Sequence, residues 1–211
     1  VSAVSVQPFR YVTRADDRSV VMRRAAVPPS RHDHAGGLVV GMVDAPVRVL
    51  TGVVMGPVQV SVVSSPTRPT TVLADWEDVV ELSVCSDGGP VVIAGPYDAD
   101  PPILARLDFA GSGMYRIRVH ARHRDVGFDG VAVEPREHYQ VVSWLAPARP
   151  AEVLAVGSRV AVSLQRSLEA SATMRRSPVV GPPLDGERQA EIESRIAARV
   201  RSLGRPVDGS A

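Results

Sequence analysis

Three features of the sequence predict a mainly β fold, an antiparallel β-sandwich followed by a C-terminal helical extension. Valine is the commonest residue and falls in short runs; its branched Cβ suits a pleated strand and crowds a helical turn. The runs are punctuated by glycine- and proline-rich breaks at the spacing of sandwich or barrel strands. Residues 115–122, YRIRVHAR, alternate apolar and ionic side chains with the period of two expected of a half-buried strand.

Taken in order, strands are expected at 4–12, 38–43, 47–54, 58–63, 79–84, 91–94, 103–109, 115–122 and 137–144. The breaks between them include VPPSRHDHAGG, VVSSPTRPT, CSDGGP, AGPYDADPP, AGSG and RDVGFDG. The clearest unit is a hairpin around FAGSGMY. Leu107 and Phe109 alternate with Arg106 and Asp108 before the turn, and Tyr115, Ile117, Val119 and Ala121 alternate with Arg116, Arg118, His120 and Arg122 after it. If 115–122 pairs with 137–144, Tyr139 and Val141 share a face with Ile117 and Val119, while His138, Gln140 and Trp144 line the arginine face. These elements make one domain, 1–150. An extension and linker, 151–184, follows, and within it 154–169 reads as either helix or strand. Asp185 then caps an amphipathic helix, 185–204, in which Ile192, Ile196, Val200 and Leu203 recur at spacings of three and four. So short a helix is marginal alone in water and should dock on a surface. Residues 205–211 read as a disordered tail.

Composition narrows the function classes. The 211 residues carry 24 basic and 23 acidic side chains, a formal net charge of +1, which argues against a polyanion binder working by bulk charge. No lysine and no asparagine occur, the mark of a very GC-rich genome such as an actinomycete's, so an abundance of arginine carries little functional meaning. Cys85 is the single cysteine, which excludes an internal disulfide. The first twenty residues lack the basic start and continuous apolar core of a signal peptide. The most apolar stretch, 36–65, is interrupted by Asp44, Pro46, Arg48 and Pro57, too broken to span a bilayer. The expectation is a soluble cytoplasmic protein with no membrane partner.

The densest chemistry lies in GMYRIRVHARHRDVG, residues 113–127. Arg116, Arg118, Arg122 and Arg124, with His120 and His123 beside them, could contact phosphate. The favoured alternative is a solvated strand face answered by acids such as Asp125, Glu134 and Glu137, with an arginine over Trp144 supplying a cation–π contact of roughly 0.5–2 kcal/mol. Metal ligation has weak support. His32, Asp33 and His34 lie in a loop that does not preorganise ligands, His123, Asp125 and His138 are weak candidates, and neither HExxH nor a cysteine pair is present. No cofactor is expected. There is no G-x-S-x-G elbow, Cys85 is expected to be buried and inert, and GSG at 111–113 is a turn rather than a phosphate cradle. Trp76, flanked by Asp75, Glu77 and Asp78, reads as a core anchor at a sandwich end, with an acidic-aromatic docking edge as the alternative.

WEDVVELSV, YRIRVHARHRD and EHYQVVSWLAPA, in that order, resemble segments of all-β proteins widespread in actinobacteria. The order of a Trp-Asp element, a G-x-Y strand and a late tyrosine-bearing strand is similar to the competence protein J family, over roughly residues 70–150. The resemblance implies a small inhibitor or immunity-type partner of a nuclease, aligns Trp76 and Tyr139 with the family's tryptophan and tyrosine, and carries over no catalytic residue. This chain departs from the pattern in its longer N-terminal β region and its C-terminal helix. The reading is a non-enzymatic binding protein that contacts a protein partner through Arg116, Arg118, His120 and Arg122, with Trp76 and Trp144. An acidic protein patch is favoured over nucleic acid as the target. The alternative from another class is a hydrolase or metal-dependent enzyme using His120, His123, Asp125 and His138, and the third reading is nucleic-acid binding.

Overall fold

A computed structural model of the chain describes residues 8–28, 34–41, 45–70, 74–176 and 194. In chain order the elements are β1 (Phe9–Ala15), β2 (Ser19–Arg23), β3 (Ala25–Ala26), β4 (His34–Ala35), β5 (Val39–Val40), β6 (Val47–Leu50), β7 (Gly56–Ser64), β8 (Asp78–Ser86), β9 (Val92–Ala94), β10 (Gly113–Arg122), β11 (His138–Leu145), β12 (Glu152–Ala155) and α1 (Arg159–Arg176). One sheet runs β1-β7-β11-β10-β8-β12, with β3 also on β8; the other runs β4-β5-β6-β2-β9. The fold is mainly β, two sheets sharing one apolar core, as the valine runs predict.

Period-two alternation builds that core. Val58, Val60 and Val62 of β7, Val80, Leu82 and Val84 of β8, Tyr115, Ile117 and Val119 of β10, and Tyr139 and Val141 of β11 face Val20, Met22, Val39, Val47, Val49 and Ile93 of the second sheet. The chain passes between sheets at two tight places. Asp17 and Arg18, both at positive φ (51° and 54°), turn β1 into β2, and Arg24, at φ 58°, lets the chain leave the second sheet as β2 and enter the first as β3.

Several expected elements differ. Residues 103–109 form no strand. The Leu107 amide bonds the Val91 carbonyl, and the buried Asp108 carboxylate accepts from the Val91 amide, the Ser86 hydroxyl and Arg106, so the alternation there reflects a loop pinned by one acid. The expected hairpin is therefore replaced: β10 pairs antiparallel with β8 and with β11. The β10–β11 register is the expected one, Val119 opposite Val141 and Arg116 opposite Trp144. Cys85 is exposed rather than buried, because it points outward near the end of β8.

The ambiguous segment 154–169 divides into the end of β12 and the start of α1. Ser158 caps α1: its hydroxyl accepts from the Ala161 amide at 3.0 Å, while Asp125 accepts from the Arg159 and Val160 amides. Gly37, at φ 56°, lies against this helix; its amide donates to Gln165 Oε1, and a Cβ there would run into the Ala161 carbonyl. The chain divides into two compact units, 1–172 and 173–211. The linker to 184, the helix expected at 185–204 and the tail lie outside the described residues, apart from Ser194, which is helical. Among the described residues no helix is long and apolar enough to cross a membrane.

One topological fact positions everything below. β7 is parallel to β11, and β8 is antiparallel to β10, which is itself antiparallel to β11. β7 and β8 therefore run the same way with two strands between them. The connection joining them must travel back along a face of the sheet. Its described residues lie on the face opposite the core, the arginine face, where Arg68 and Pro69 meet Glu81 and Arg118 and Trp76 meets His120.

Candidate functional site

The outward side chains of β10 divide into two electrostatic environments. At the β8 side, Glu81 collects three arginines: Arg118 Nε and Nη2 at 2.8 and 2.7 Å, Arg116 Nη2 at 3.3 Å and Arg68 Nε at 3.1 Å. Arg116 Nη1 also donates to Ser83 Oγ and to the Arg149 and Pro150 carbonyls, and Arg118 Nη2 to the Pro69 carbonyl. The Arg116 and Arg118 side chains are only 4% and 3% exposed. Burial alone would raise the Glu81 pKa; the hydrogen bonds from Arg68 and Arg118, the charge of Arg118 and the bond from Arg116 together hold it below the usual carboxylate range.

The expectation of a wetted face at Arg116, Arg118 and His120 is thus corrected. The returning β7–β8 connection and residues 149–150 cover it, and the neutralising acid is Glu81 of β8 rather than Asp125, Glu134 or Glu137. Trp144, with Arg118 5.9 Å from its ring centroid, is buried and belongs to the same sealed region. An open cavity of about 520 Å³ adjoins it, but Glu81 and Arg116 on its wall are already saturated with partners.

The other environment is a cleft. Register places Val12, Gln59, His138 and Arg122 in one cross-strand row, and Arg10, Ser61, Gln140 and His120 in the next. Trp76, from the connection, closes one end: its ring lies 5.4 Å from that of His120, and the Arg122 guanidinium lies 5.0 Å from its centroid. The resulting cleft of about 140 Å³ is lined by Arg10, Gln59, Ser61, Trp76, Arg122 and His138, among others. Arg122 Nη2 donates to His138 Nδ1 at 3.3 Å, and the His123 ring stands 5.5 Å from the His138 ring. Among the described residues no carboxylate pairs with Arg10, Arg122 or His138. Arg122 Nε and Ser61 Oγ are buried without a hydrogen-bond partner. Burial, then the charges of Arg122, His123 and Arg10, push the His138 pKa below its ordinary value.

The structure brings Arg122, Trp76, His123 and His138 together, with His120 against the Trp76 ring. His120 is buried beneath Trp76 with Nδ1 on the Gln140 carbonyl, and burial lowers its pKa to about 4. Asp125 is committed to the start of α1, and fully buried Arg124 to Asp78 and the Gly37 carbonyl. Glu137 sits on the core side, accepting from the Gly52 and Val53 amides and from the Tyr139 hydroxyl. The constellation His120, His123, Asp125 and His138 therefore does not assemble as an acid–base site. Among the described residues no group of three or more His, Cys, Asp or Glu is placed to hold a metal; His32 and Asp33 lie outside them.

Sequence reasoning missed Glu81, Arg10 and Ser61. The apolar run VVELSV around Glu81 hides a residue whose only hint is its acid in an otherwise oily strand, and Arg10 and Ser61 join the site through long-range strand pairings, Arg10 opposite Ser61 and Ser61 opposite Gln140. Comparison of the chain with protein-family models, with curated proteins and with solved structures finds no match. Fold and site together define a β-sandwich with a basic cleft, without a paired carboxylate among the described residues, beside a half-buried tryptophan.

Proposed function

We propose that this chain is a non-enzymatic binding protein that captures an acidic partner protein through the surface around Arg10, Trp76, Arg122, His123 and His138. The observation that carries this reading is the contrast in charge pairing: the cations of the sealed region have carboxylate partners, whereas Arg10, Arg122 and His138 have none among the described residues. Cations next to an accessible aromatic ring are the residue types that anchor protein interfaces. The order of segments around Trp76 and Tyr139, which resembles the competence protein J family, makes a nuclease or toxin the partner class and an inhibitor or immunity factor the role.

The test is capture from native cell extract by the full chain and by the Arg10→Glu, Arg122→Glu double variant. Loss of the captured protein, with the melting temperature unchanged, is the expected result. Capture that survives the reversal overturns the surface. Capture abolished by nuclease treatment of the extract replaces the protein partner with nucleic acid.

A further inference from the structure

We infer that the cleft seats a single oxyanion group, a carboxylate or a phosphate-type group, held by Arg122, Ser61 and His138 with Arg10 at its margin. This rests on the reading above and names the group by which the partner is anchored. Two observations carry it. Ser61 Oγ and Arg122 Nε are both buried and unpaired, and both residues line the same cleft. A buried donor without an acceptor is destabilising, and an oxyanion presents several lone pairs to satisfy both at once. Basic side chains cluster there with no carboxylate paired to them among the described residues: Arg10 from β1, Arg122 and His123 from β10 and its end, and His138 from β11. β7 lines the cleft with Gln59 and Ser61, and on the connection Glu77 accepts from the His123 amide.

Size restricts the ligand. About 140 Å³ holds four or five waters at roughly 30 Å³ each, enough for one charged head group. It falls below the roughly 300–1,000 Å³ of sites that enclose a drug-sized molecule. A long partner therefore inserts one group and leaves the rest outside.

Proton linkage follows from the same geometry. In the empty cleft His138 Nδ1 accepts from Arg122, which requires it to be unprotonated. An anion between the two removes the repulsion among Arg122, His123, Arg10 and a charged imidazole, so binding takes up a proton at His138 and strengthens as pH falls through the ordinary imidazole range.

The test titrates the full chain with sodium sulfate and with sodium acetate at constant ionic strength, following backbone and indole NMR shifts. Sulfate does not itself titrate between pH 8 and 6. The expected result is saturable shifts at Ser61, Trp76 and His138, about threefold or more tighter sulfate binding at pH 6 than at pH 8, and at least tenfold weakening in Ser61→Ala and Arg122→Gln. His138→Gln should bind without the pH dependence. Tighter acetate binding assigns the seat to a side-chain carboxylate, and tighter sulfate binding to a phosphate-type group. Shifts that never saturate, that are equally large around Arg48 and Arg159, or that persist unchanged in both variants overturn the seat. Saturable binding with partner capture surviving the Arg10, Arg122 reversal sinks the functional reading and keeps the seat; capture lost without saturable binding does the opposite.

Discussion

Arg118 and Arg122 point out from the same face of the same strand, four residues apart, and meet opposite fates. Arg118 lies against Glu81 of β8 under a covering connection, whereas Arg122 lies beside His138 of β11 with its Nε unpaired. The strand supplies identical chemistry at both places. What differs is the neighbour: a carboxylate in one direction across the sheet, an imidazole in the other. The first arrangement is a structural ion cluster that charge balance has closed, and the second is a charge surplus that remains available.

The largest effect that can break this contrast comes from Glu81. Glu81→Ala leaves Arg116 and Arg118 buried without their acid and should destabilise the fold by about 3–5 kcal/mol in urea unfolding. Arg122→Gln should change stability by less than about 1 kcal/mol. Equal effects would mean that the two regions are energetically alike.

Next in size is the buried imidazole at their boundary. His120 has a folded pKa of about 4, below the roughly 6.5 of an unfolded chain. A depressed pKa contributes stability that is fully present above the unfolded value and is lost as pH falls through the folded one. At about 1.4 kcal/mol per pH unit, roughly 3 kcal/mol should disappear between pH 6.5 and 4. His120→Gln should flatten the wild-type curve in that window. A variant curve parallel to wild type would place His120 in water rather than under Trp76. Below about pH 4.5 the lowered carboxylates Glu81, Asp108 and Asp125 add their own losses in the same direction, while the raised pKa of Glu137 works against them.

The smallest pair compares two serines. Ser83 Oγ accepts from Arg116 and from the Arg149 amide, so Ser83→Ala should cost about 1–3 kcal/mol. Ser61 Oγ is unpaired, so Ser61→Ala should stay within about 0.5 kcal/mol of wild type. A substantial loss at Ser61 would show that its hydroxyl already has a protein partner.

Much of the fold was legible because valine runs and turn residues act locally. The β10–β11 register, with Val119 opposite Val141, followed from matching two alternating patterns. β2 was missed because SVVMR is short and enclosed by charged residues, and 103–109 was overread because Leu107 is buried by a loop anchored at Asp108. For the site, alternation established which side chains of β10 share a face, but it could not establish whether water reaches that face. That depended on the direction of β7 relative to β8, set by the pairing of β7 with a strand some eighty residues away in sequence. Arg122 and His138 remain open to the cleft because the cover ends beside them at Trp76.

The same crossing connection governs the order of assembly. β7 and β8 emerge from the ribosome well before β10 and β11, which must occupy the space between them. Until residue 145 has been synthesised, the growing sheet lacks its middle and presents two valine-rich edges to any neighbouring nascent chain, a situation that favours aggregation. A chain stopped short of residue 138 can add β10 to β8 but never acquires β11, so β7 and β10 keep open edges that nothing joins.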